Sequence, residues 1–70
     1  MNIRKKVGEN LKAARKATGY TQKEVAAMLH KYQPDYCQYE KGQVELDYEK
    51  IIFLCKTFDI TPNDLFDMEK

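Results

Sequence analysis

The sequence predicts an all-α, compact five-helix domain, and three observations carry that prediction. Apolar residues recur at three- and four-residue spacing through most of the chain. Helix-start signatures stand at Thr21 and Thr61, each followed three residues later by an acidic side chain. No stretch alternates as a strand does, beyond a faint hint at Val44 and Leu46. Residues 1–70 read as one domain, with no linker composition and no internal repeat. A core this small contributes only about 3–5 kcal/mol, so association with a second copy would add useful burial.

The first helix is expected over residues 3–18. Asn2 can cap it, Ile3, Val7, Leu11 and Ala14 form one inward stripe, and Gly19 suits the left-handed residue that ends it. The second helix begins at a capping box, Thr21-Gln22-Lys23-Glu24, in which hydroxyl and carboxylate each satisfy the other residue's amide. Val25, Ala26 and Leu29 face inward, and His30 ends the helix, because histidine tolerates left-handed backbone better than most non-glycine residues. His30 therefore reads as a turn residue rather than a ligand or proton carrier.

The third helix is expected over 33–41, closing at Gly42. Pro34 fits only its first turn, where the missing amide has no helical partner to lose. Tyr36 and Tyr39 point inward, three residues apart, which leaves Gln33, Cys37 and Gln38 on the outward face. Asp47 caps a fourth helix over 48–57. There Tyr48, Ile51, Ile52, Leu54, Cys55 and Phe58 are apolar on more than one side, implying deep burial or a second interface. Thr61-Pro62-Asn63-Asp64 opens a short fifth helix carrying Leu65 and Phe66.

Composition excludes several classes of function. The longest apolar run, residues 51–55, is five residues long, far short of a membrane span. The basic start of the chain has no apolar stretch behind it and does not read as a signal peptide, so a cytoplasmic location is expected. Cys37 and Cys55 with a single His30 make no zinc-ligand pattern; free thiols, no metal and no cofactor are expected. No nucleophile–base pair or phosphate loop is present, no small-molecule ligand is evident, and the chain does not read as an enzyme. The net charge of +1 conceals an asymmetry: +6 over residues 1–31 and −5 over residues 32–70. A basic half of this kind suits a phosphate-rich partner, although a solvated helix face would look the same.

The stretch Thr21-Gln22-Lys23-Glu24-Val25-Ala26-Ala27-Met28-Leu29, then Tyr36 and Tyr39-Glu40-Lys41-Gly42, resembles the helix-turn-helix of phage repressor and Cro-type (Xre-like) transcriptional regulators. The resemblance extends through Glu49, Ile51, Leu54, Phe58-Asp59-Ile60-Thr61 and Asp64-Leu65-Phe66 without insertions. It implies a lambda-repressor-like fold with the helix-turn-helix at the second and third helices. It also implies a sequence-specific regulator, commonly a repressor, that reads a pseudo-palindromic operator in double-stranded DNA as a homodimer.

By that resemblance Gln33 and Gln38 contact bases, and glutamine can pair bidentately with adenine. Cys37 shares their face and offers an apolar contact to a thymine methyl. Gln22 is implied as a phosphate contact at a helix N-terminus, with Lys23, Lys31 and Lys41 as further phosphate partners and Arg4, Lys5 and Lys6 as possible additions. Arg15 and Glu40 are implied to form a structural salt bridge. Val44, Leu46, Phe66 and exposed parts of the last two helices are the candidate dimer contacts.

Three departures stand out. Asp35 lies near the start of the recognition helix, where it can cap that helix, the preferred reading, or accept from a cytosine N4 amine, and where it would repel a nearby phosphate. The loop 43–47 is acidic where relatives are often basic. His30 and Tyr32 replace the usual glycine and the usual serine or threonine. A protein-interaction module of the same fold, such as an antitoxin or anti-repressor partner, is the alternative that the acidic second half favours.

Overall fold

The computed structural model describes residues 2–67, and the order is α1 (Ile3–Thr18), α2 (Gln22–Met28), α3 (Gln33–Glu40), α4 (Tyr48–Phe58) and α5 (Pro62–Phe66). The fold is all-α; no strand occurs among the described residues.

Local chemistry sets the helix starts. The side chains of Asn2, Thr21, Asp47 and Thr61 accept from the amides of Lys5, Glu24, Lys50 and Asp64. At Thr21 and Thr61 the reciprocal bond from the cap amide to the acidic side chain is also made. Each such cap contributes on the order of 1 kcal/mol. The ends are equally specific: Gly19, His30 and Asp59 all adopt left-handed backbone, with φ of 88°, 58° and 56°. After α2 the Lys31 amide donates to Ala26 O and the His30 amide to Ala27 O, closing the helix with both bonds of a Schellman motif.

The core is Val7, Leu11, Val25, Ala26, Tyr36, Tyr39, Leu54, Cys55, Phe58 and Leu65, drawn from all five helices. α3 packs against both α1 and α2, and α5 packs against α1 and α4. The inward stripe of α1 begins at Val7 rather than Ile3, which is 59% exposed. α4 divides its apolar residues between two environments. Leu54, Cys55 and Phe58 are buried, whereas Tyr48 and Ile52, one turn apart, are 86% and 54% exposed.

Gly8 permits a close backbone approach between α1 and α3. A Cβ there would lie 2.6 Å from Tyr39 O and would also overlap Glu40 O. The absence of a side chain lets the last turn of α3 rest directly on α1. That contact sets the angle at which α3 presents its outer face.

Candidate nucleic-acid interface

α2 and α3 are joined by a turn over 29–32 in which left-handed His30 redirects the chain. Buried Tyr36 and Tyr39, whose rings meet edge to face at 6.1 Å, anchor the inner side of α3. Gln33 and Gln38 are consequently exposed, Cys37 is half-buried, and Lys41 caps the C-terminus of the helix in the open. The α3 helix ends at Glu40, one residue short of the expected span. Asp35 makes no capping bond: Tyr32 holds the N-cap position before α3, and no side chain caps the helix. Asp35 instead sits in the first turn, where its negative charge complements the positive end of the helix dipole.

Beneath this face lies a continuous chain of polar contacts. Arg15 Nε donates to Glu40 Oε2 at 2.6 Å and Nη2 donates to Oε1 at 3.2 Å, while Nη1 donates to Tyr20 O at 2.9 Å. Both residues are buried. Gln22 Nε2 donates to Glu40 Oε1 at 2.8 Å, and Gln33 Nε2 donates to Gln22 Oε1 at 2.6 Å. Burial works against ionisation of Glu40, but the bonds from Arg15 and Gln22 outweigh it and hold the carboxyl below its ordinary range. The hydrogen bond to Glu40 raises the Arg15 guanidinium in turn, against the opposing effect of burial. Tyr36 is fully buried and its hydroxyl has no hydrogen-bond partner among the described residues; burial pushes its ionisation upward, so it stays neutral.

The cationic residues separate into groups. Lys23 and Lys41 project into solvent. Lys31 is half-buried, with its ammonium 5.9 Å from the centroid of the Tyr39 ring. Lys6 pairs with Asp67 of the segment after α5, at 3.4 Å. The backbone of Gly42, at φ +75°, packs against Arg4 and Lys5, so the start of α1 and the end of α3 lie side by side. Two contacts had no signal in the sequence: the Tyr20 carbonyl under Arg15, and Asn10 Nδ2, which donates to Leu65 O at 2.9 Å.

A second surface lies beside the first turn of α1. Val44, Leu46 and Phe66 line one groove of about 280 Å³ together with Ile3, Tyr48 and Ile51. Arg4 and Glu45 also line it. Cys37 and Cys55 are free thiols, 37 half-buried and 55 buried. Among the described residues no group of three or more potential metal ligands gathers, and no helix is long and apolar enough to cross a membrane.

Two helices joined by a left-handed turn, the second held by its tyrosines with a polar face outward, define a helix-turn-helix protein. The model of the family described as "Helix-turn-helix domain" matches residues 8–69, and the chain belongs to that family as an Xre-like regulator. Among solved structures it is similar to the restriction-modification controller protein C.AhdI from Aeromonas hydrophila. The identity is 29% and the TM-score 0.76, over 89% of this chain and 94% of that one. No curated protein matches the sequence.

Proposed function

We propose that the chain is a homodimeric transcription regulator, acting as a repressor, that reads a pseudo-palindromic operator in double-stranded DNA. Residues 1–70 constitute one DNA-binding domain in this reading. The observation that carries it is the outer face of α3, where Gln33 and Gln38 are exposed beside a half-buried Cys37 and an exposed Lys41. In this reading Gln33 and Gln38 bond to base edges, Cys37 touches a thymine methyl, and Lys23, Lys31 and Lys41 meet phosphates. Gln22 keeps one free N–H for a phosphate after donating the other to Glu40. The start of α1, next to Gly42, adds Arg4 and Lys5 to the backbone contacts.

The groove lined by Val44, Leu46, Tyr48 and Phe66, together with exposed Ile52, is the dimer surface. Pairing there sets two recognition helices about one turn of DNA apart, roughly 34 Å. Such a protein works in the cytoplasm and needs neither metal nor cofactor. The similarity to a restriction-modification controller supports a regulatory role of the same kind.

Selection from a random duplex library, with wild type and Gln33→Ala/Gln38→Ala, tests the reading. An enriched palindrome that disappears in the double variant is expected. A folded wild type that enriches nothing at low salt would overturn it and favour a protein partner, the alternative that the −5 charge of residues 32–70 suits. Dimerisation is tested separately: Val44→Asp or Ile52→Asp should shift the sedimenting species from dimer to monomer. A wild type that is monomeric even on DNA would remove the dimer surface from the proposal.

A further inference from the structure

The groove beside the first turn of α1 is apolar but carries charge of both signs. Ile3, Val44 and Tyr48 are exposed and line it, and so do Arg4 and Glu45. The two charged residues come from different elements: Arg4 stands in the first turn of α1, and Glu45 in the connection between α3 and α4. Both also border a neighbouring hollow with Asn2 and Ile3. Ion pairs among the described residues join Lys6 to Asp67, Arg15 to Glu40 and Lys50 to Asp47. Arg4 and Glu45 are exposed and belong to none of them.

This charge pattern fits a second copy of the chain. Two copies that close on the same surface do so about a twofold axis, so that residue i of one meets residue j of the other, and j meets i. A patch of one sign would then set like charge against like. A patch that presents one cation and one anion satisfies itself twice, and the apolar residues between them are covered in the same step. A purely basic partner would leave Arg4 facing its own sign, and a purely acidic one would do the same to Glu45.

We propose that Arg4 of each copy pairs with Glu45 of the other, so that two symmetric ion pairs flank the apolar groove and fix how the copies meet. The inference rests on the dimer surface proposed above and adds the contact that sets its register. A guanidinium has five N–H donors, so the pairing leaves others for the phosphate contact assigned to Arg4.

The test is the association of wild type, Arg4→Glu, Glu45→Arg and the double variant Arg4→Glu/Glu45→Arg, measured without DNA by sedimentation and native mass spectrometry. Thermal unfolding checks that each is folded. Either single reversal turns two attractions into two repulsions, and should weaken the dimer about tenfold or more. The double variant should recover wild-type association. The deciding sample is an equimolar mixture of the two single variants. There one copy carries both anions and the other both cations, so a heterodimer should form with near wild-type affinity while each homodimer stays weak.

A mixture no stronger than its components, beside a double variant that recovers, would place the pair within one chain and overturn the inference. Single variants that dimerise as wild type does would overturn it too, and would leave an apolar dimer surface standing. A wild type that is monomeric even on DNA removes the dimer surface itself, and the inference falls with it.

Discussion

Arg15 and Glu40, 25 residues apart in sequence, meet in the interior as a two-bond ion pair joining α1 to the last residue of α3. Neither side chain is more than 9% exposed. Removing one partner strands a charge away from water, whereas removing both leaves only a packing change. Arg15→Met should therefore cost about 3–5 kcal/mol in urea unfolding. Arg15→Met/Glu40→Leu should recover most of that loss; a double variant as unstable as the single would show that the pair is not acting as a unit.

The same carboxylate makes stability depend on acid. Its folded value lies below the ordinary 4.5, so the native state holds the ionised form better than the unfolded chain does. The resulting stabilisation is complete above the ordinary value and is lost as pH falls through the folded one. Wild type should accordingly exceed Glu40→Gln in stability at neutral pH, with the difference shrinking steadily in acid. Urea unfolding at several pH values below and above 4.5 checks it. A pH-independent difference would place the contribution of Glu40 in its shape rather than its charge.

Gly8→Ala sets two effects against each other. Alanine is the better helix former by about 1 kcal/mol, but its methyl would collide with backbone carbonyls of α3 that cannot rotate aside. Overpacking of that kind costs about 1–3 kcal/mol, so net destabilisation is expected. The variant should also lose DNA affinity beyond what its lower stability explains, because α3 must shift. Equal or higher melting temperature in Gly8→Ala would show that the two helices separate easily.

Lys41→Ala and Lys23→Ala should weaken binding nearly uniformly across DNA sequences. Each should reduce the slope of log affinity against log salt by about 1. Lys31 differs, because its ammonium is engaged by the Tyr39 ring in the free protein. Lys31→Ala should change the salt slope less and the melting temperature more. Binding isotherms at four or five salt concentrations separate the three.

The five helices were legible in the sequence because their ends are set by residues three or four positions apart. Thr21 with Glu24, Asp47 with Lys50 and Thr61 with Asp64 meet whatever the rest of the chain does. The inward tyrosines of α3 followed from helical spacing for the same reason. His30 was readable as a left-handed stop, while Asp59, which closes α4 in the same way, carried no comparable signal.

Tertiary structure decided which partner each long side chain takes, since several lie within reach and only packing selects one. It turned the amide of Gln22 inward to Glu40, set Lys6 on Asp67 and laid Lys31 over Tyr39. It also left Ile3, Tyr48 and Ile52 in solvent, because five short helices enclose too little volume to cover every apolar face. Helical periodicity identifies such a face, but only the three-dimensional arrangement of its neighbours determines whether that face is buried within the chain or left open on its surface.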